Sequence, residues 1–134
     1  MPAVRGMVLY YNAASPQEGK KAKAVFATQG LRIRAVTPEE LGRPLGSFTG
    51  VLPVPEEVPA PREPIGESLM VFSGIGGPQL DRVLSALLRA GVPRAVYKAI
   101  VTPGNVSWDF YQLYEELKAE RAAVEGGSTP SEKV

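Results

Sequence analysis

The chain alternates short, fully apolar runs with longer stretches of helical periodicity. Met7, Val8, Leu9, Tyr10 and Tyr11 are apolar at consecutive positions, the pattern of a strand covered on two sides, and the strand is expected over Gly6 to Asn12. Ser15-Pro16-Gln17-Glu18 reads as a capping box with proline at the first helical position, so a helix should run from there to Gly30 with Ala22, Val25 and Phe26 inward. Leu31 to Val36 alternates, which places Leu31, Ile33 and Ala35 inward and Arg32 and Arg34 outward on a half-buried edge strand. Thr37-Pro38-Glu39-Glu40 repeats the capping logic for a turn or two, cut short by Gly42 and Pro44.

The second half repeats this order. Ser68 to Ser73 is a third strand, apolar on both faces through Leu69-Met70-Val71-Phe72. Pro78 to Ala90 carries Leu80, Val83, Leu84, Leu87 and Leu88 at i, i+3, i+4, i+7 and i+8, and Gly91 ends that helix. A fourth strand is expected over Arg94 to Val101. A last helix is expected from Ser107 to about Val124, burying Phe110, Leu113, Tyr114 and Leu117. Between the halves, residues 51–66 carry prolines at 53, 55, 59, 61 and 64, which suits an extended surface loop and forbids a regular helix. Residues 126–134 are polar and glycine-containing, the composition of a flexible tail.

Residues 1–125 therefore read as a single α/β domain of order β-α-β, proline-rich linker, β-α-β-α. Central first and third strands fit two sheets: a ferredoxin-like split βαβ sandwich with order 4-1-3-2, and a small four-stranded parallel α/β sheet with order 2-1-3-4. A parallel neighbour for the third strand requires a packed crossover after the second, and residues 37–67 offer only a broken helix and prolines. The ferredoxin-like α+β sheet is the expectation.

Composition narrows the chemistry. Among 134 residues there is no cysteine and no histidine, which excludes a Cys or His zinc site, a thiol nucleophile and an imidazole base. Fifteen basic against 14 acidic side chains leave a net charge of +1, against a nucleic-acid binder that works through bulk charge. No apolar window approaches the roughly 18 residues of a membrane span, so a cytoplasmic protein is expected.

The densest segment runs from Lys98 to Trp108. Pro103 ends the strand and pushes Thr102 to an extended conformation, Gly104-Asn105 suits a tight reversal, and Ser107 is the natural N-cap with Asp109 in the first turn. The pattern Lys98-Ala99-x-x-Thr102-Pro103-x-Asn105-x-x-Trp108 resembles the signature of a small bacterial and archaeal domain family of unknown function, with a looser likeness from Leu69 to Glu120. The resemblance implies a fold unit and brings no activity or cofactor.

The two turns that follow the third and fourth strands share one end of the sheet in either fold. That end collects Ser73, Gly74, Gly76, Gly77, Thr102, Asn105, Ser107 and Trp108, where two helix N-termini suggest a pocket for a phosphate or carboxylate. Lys98, inside a strand between Val96 and Ile100, is expected to pair with Glu115 or Glu116; buried, it would instead be a candidate for amine chemistry. The leading reading is a non-enzymatic module, a homodimer, binding a small anionic ligand or a protein partner at that sheet end. The alternatives are an enzyme using Lys98 or a bound nucleotide, and an adaptor acting through the proline-rich segment.

Overall fold

The computed structural model describes residues 6–57 and 65–125. Four strands, β1 (Met7–Tyr11), β2 (Arg32–Ala35), β3 (Leu69–Ser73) and β4 (Tyr97–Ile100), form one sheet of order β2-β1-β3-β4. Helices α1 (Pro16–Thr28), α2 (Leu45–Thr49), α3 (Gly77–Arg89) and α4 (Phe110–Glu125), with a short 3-10 turn at Pro38–Glu40, complete the fold.

The fold is mixed α/β, and its topology differs from the ferredoxin-like expectation. β1 runs parallel to β2 and β3 parallel to β4, while β1 and β3 meet antiparallel, Met7 opposite Ser73 and Tyr11 opposite Leu69. Each half is thus an uninterrupted βαβ unit, and the strand order is that of the alternative sheet without its all-parallel direction. The missing crossover after β2 does forbid a parallel β1–β3 pair, but an antiparallel pair needs only a return of the chain. Turning the second unit over in the sheet has a further result. Two right-handed crossovers then lie on the same face instead of on opposite faces.

That is where they pack. Val8, Tyr10, Met70 and Phe72 meet Ala22 and Phe26 of α1 and Val83 and Leu87 of α3. The opposite face, with Leu9, Tyr11, Val71 and Ala99, is covered by Leu41, Leu45 of α2, and Phe110, Leu113 and Leu117 of α4. β1 and β3 are consequently buried on both faces, as their continuous apolar runs demand.

The two units end their helices alike. Gly30 and Gly91 adopt positive φ of 78° and 92°, and Leu31 and Val92 donate back to the carbonyls of Phe26 and Leu87, each at 2.9 Å. Both are Schellman caps in which the residue after glycine is buried against the helix. At the start of α1 the Ser15 hydroxyl accepts the Glu18 N–H at 3.2 Å, with Pro16 in the first turn, as expected.

β2 departs from its alternation. Ile33 is 37% exposed and Ala35 is exposed, because the strand lies at the edge where the α1 layer ends. Arg34 instead turns to the other face, where its guanidinium forks onto Glu40 at 2.7 and 3.2 Å and stands 5.2 Å from the Phe48 ring. Arg43 reaches the same carboxylate at 3.2 Å and lies 4.1 Å over Phe48. Glu40 also accepts the Thr37 N–H at 3.0 Å, the capping contact anticipated there.

Of the proline-rich segment, Val51 and Val54 are exposed and Ile65 is buried, its carbonyl accepting the Tyr11 hydroxyl at 2.7 Å. Pro59, Pro61 and Pro64 lie outside the described residues, as does the 126–134 tail. Among the described residues no helix is long and apolar enough to cross a membrane.

Two measurements probe these assignments. The Arg34 hydrogen bonds, aided by the Thr37 amide and the charges of both arginines, hold the Glu40 carboxyl below its ordinary value. A depressed carboxyl contributes stability that is present above the ordinary value of 4.5 and lost as pH falls through the folded one. Glu40→Gln should therefore cost about 1–2 kcal/mol at neutral pH in denaturant unfolding, with the deficit shrinking in acid. The Tyr10 hydroxyl is buried without a hydrogen-bond partner among the described residues, and burial beside Glu18 pushes its pKa up to about 12. Tyr10→Phe should leave stability unchanged or raise it by up to about 1 kcal/mol, since the unsatisfied group is removed with its shape retained.

Candidate functional site

The turn after β4 is built around one buried amide. Asn105 is 2% exposed. Its Oδ1 accepts the Thr102 N–H at 2.8 Å and its Nδ2 donates to the Ile100 carbonyl at 3.0 Å, while the Thr102 hydroxyl accepts the Asn105 N–H at 3.2 Å. The side chain thus replaces the strand partners that β4 loses at Pro103, and both of its ends are spent within the turn.

The next residues turn once more, the Trp108 N–H donating to the Asn105 carbonyl at 2.9 Å, and dock their carbonyls on α2. Gly46 donates to the Val106 carbonyl and Leu45 to that of Trp108, both at 2.8 Å, and Phe110 donates to Leu41 at 3.0 Å. Gly46 is required for this approach, because a Cβ there would stand 2.6 Å from a Val106 methyl. The chain is free to turn helical only after these contacts, so α4 begins at Phe110 and not at Ser107. Asp109 is the residue that caps it, its carboxylate accepting the Gln112 N–H at 2.9 Å. Ser107 is exposed, and Trp108 is half-buried against the α2–α4 face of the core.

Ser73, Gly74, Gly76 and Gly77 do lie at the same sheet end, since β3 and β4 are parallel with Phe72 opposite Ile100. Gly74 takes φ of 70°, and its carbonyl lies close enough to Gly6 that a Cβ on Gly6 would meet it at 3.2 Å. Gly76 precedes α3 with no side-chain cap. The two helix N-termini approach that end from different sides. α3 packs on one face of the sheet and α4 on the other, and the α4 terminus already holds the Asp109 carboxylate.

Lys98 leaves this group altogether. Its ammonium folds back to the start of β4 and donates to the carbonyls of Val96 at 2.9 Å and Arg94 at 3.3 Å. It does not pair with Glu115, whose carboxylate stands 3.1 Å from Lys118. These two contacts hold the amine at the start of β4, away from the Thr102–Asn105 turn. Burial, with the charges of Arg121 and Arg94, lowers the Lys98 pKa from the ordinary 10.5.

Arg121 of α4 completes this corner. Its guanidinium lies 3.8 Å over the Tyr97 ring and donates to the Ala95 carbonyl at 2.8 Å. Tyr97 meets Tyr114 edge to face at 5.6 Å, and the Tyr114 hydroxyl donates to Glu67 at 2.6 Å. Among the described residues no carboxylate pairs with Arg94, Lys98 or Arg121, and no cluster of metal-ligating side chains occurs. Sequence reasoning missed Arg94 and Arg121. Their spacing carries no signal until α4 is laid across the start of β4.

Asn105→Ala would strand a part-buried donor, the Thr102 N–H, and a part-buried acceptor, the Ile100 carbonyl, at once. A loss of about 2–4 kcal/mol in denaturant unfolding is expected, whereas exposed Ser107→Ala should fall within about 0.5 kcal/mol of the parent.

No curated protein and no solved structure matches this chain. Residues 68–124, from the start of β3 almost to the end of α4, match a family described as a domain of unknown function (DUF3783).

Proposed function

We propose that the chain is a binding module that takes the oxyanion of a small ligand, a phosphate or a carboxylate, at the β4–α4 edge through Arg94, Lys98 and Arg121. The observation that carries this reading is three cations gathered around the start of β4, from the turn before it, from the strand and from α4, with no carboxylate paired to them among the described residues. Like charges held together are unfavourable, and an anion reverses the sign of that energy. Arg121 is fixed by its stack on Tyr97 and its bond to Ala95, so its remaining N–H groups are pre-ordered for a planar or tetrahedral oxyanion. The glycine turn before α3 supports such a role less well, because it lies at the opposite end of the parallel β3–β4 pair from this corner.

A thermal-shift series tests the reading, using inorganic phosphate, nucleoside monophosphates, phosphorylated sugars and dicarboxylates. A probe present at about a hundred times its Kd should add about 2.7 kcal/mol, a shift of several degrees. The shift should shrink in Arg94→Gln, Lys98→Gln and Arg121→Gln, each measured against its own unliganded midpoint. Binding should also weaken as pH rises through the lowered Lys98 pKa, below 10.5, where the ammonium discharges. The reading fails if no probe shifts the parent at about 10 mM, far above a useful Kd, or if the shift survives all three variants.

A further inference from the structure

On the other face of the molecule, α1 and α3 do not close against each other along their outer edges. Between them runs an open groove of about 330 Å³ whose walls are mainly Ala24, Val25 and Thr28 of α1 and Ala86 and Ala90 of α3. The helices are antiparallel: the Gln79 side chain, at the start of α3, donates to the Gln29 carbonyl, past the end of α1, at 3.2 Å. The groove floor is apolar, and its rim is basic. Lys21 lines it from α1, and on α3 Arg82 and Arg89 flank Ala86 at four residues before and three after, exposed on the same stripe. Of the acidic residues of these helices, Asp81 falls roughly 140° around the helix from Ala86, and Glu18 sits half-buried on the α1 stripe one turn before Lys21, so the rim carries Lys21, Arg82 and Arg89 against a single carboxylate.

The same chain carries a surface of opposite character. The outward stripe of α4 is Gln112, Glu116, Ala119 and Ala123 at i, i+4, i+7 and i+11, with Glu115 and Ala122 beside it, all exposed. Glu116 has no partner among the described residues. The stripe is acidic at its start and alanine along its length, so it offers close approach to an apolar floor and the Glu116 carboxylate to a basic rim, Glu115 being paired with Lys118.

We propose that the α1–α3 groove seats α4 of a second copy of this chain. The contact is head-to-tail. The groove lies on one face of the sheet and α4 on the other, so every copy presents one of each, and a twofold pairing of groove with groove would set basic rim against basic rim. Such a contact propagates until a rotation closes it into a ring. It is independent of the anion corner, because neither Glu116 nor the groove residues belong to that corner.

Sedimentation velocity at low salt, across about 10 μM to 1 mM, reads it directly, since modest contacts populate in that range. The parent should show a mass that rises with concentration and falls back toward the monomer in about 1 M salt, where screening is nearly complete. Ala86→Arg, which fills the groove, and the double variant Glu116→Lys/Ala119→Arg, which spoils the stripe, should each be monomeric, with circular dichroism unchanged. Mixed, they should form a one-to-one pair and stop there, since one contributes the only intact stripe and the other the only intact groove. A parent that stays monomeric throughout, variants that still associate alone, or a mixture that stays monomeric overturns the proposal. An acidic helix from a different protein would produce the first of these results, and a twofold dimer through another surface the second.

Discussion

The antiparallel seam between β1 and β3 is the constraint from which the other features follow. Both strands are apolar on both sides, so the sheet must be covered twice. Because the seam is antiparallel, right-handed crossovers commit α1 and α3 to a single face. The opposite face then has no crossover helix of its own. It is covered by segments outside the βαβ units: Leu41, α2 and above all α4. To reach that face, the chain leaving β4 must pass around the end of the sheet. The Thr102–Trp108 strip is that passage, and Asn105 holds its first turn closed with a side chain that satisfies what the broken ladder leaves open.

This accounts for why elements were legible in the sequence while their direction was not. The strands, the two long helices and both glycine stops follow from period, caps and punctuation within a few residues, which is local information. Even the doubling is visible, as Gly30-Leu31 and Gly91-Val92 end equivalent helices. A fully apolar run such as Leu69-Met70-Val71-Phe72, however, is the same whether its neighbour is parallel or antiparallel. Ile33 and Ala35 show the converse. Alternation points them inward, but at the sheet edge no further helix covers them, and Arg34 gains more from Glu40 and the Phe48 ring than from solvent.

The candidate site was legible only in part, for a related reason. Thr102, Asn105 and Trp108 attract notice as polar or aromatic residues in a turn, and the structure employs them in closing that turn and packing its exit. Ser107 and Asp109 are both good caps, and nothing local decides between them. The choice is made by the docking of residues 106–108 beside Gly46, a residue unremarkable in sequence. Arg94, Lys98 and Arg121 lie up to 27 positions apart and become neighbours only because α4 crosses the start of β4.

Net charge conceals the arrangement further. A chain at +1 reads as electrostatically bland, yet its charges are unevenly spread: Lys21, Arg82 and Arg89 stand along the α1–α3 rim, Arg94, Lys98 and Arg121 at the β4 corner, and Glu116 on the outer stripe of α4. Where opposite charges are paired, as at Arg34, Glu40 and Arg43, they serve the fold and are spent. Where they are kept apart on separate surfaces they retain their potential, which a Debye length of about 8 Å at physiological salt leaves effective at contact distance. Balance over the whole molecule is thus compatible with strong local imbalance. Each unpaired group costs some self-repulsion in the isolated chain, and that energy is recovered only when a complementary charge arrives.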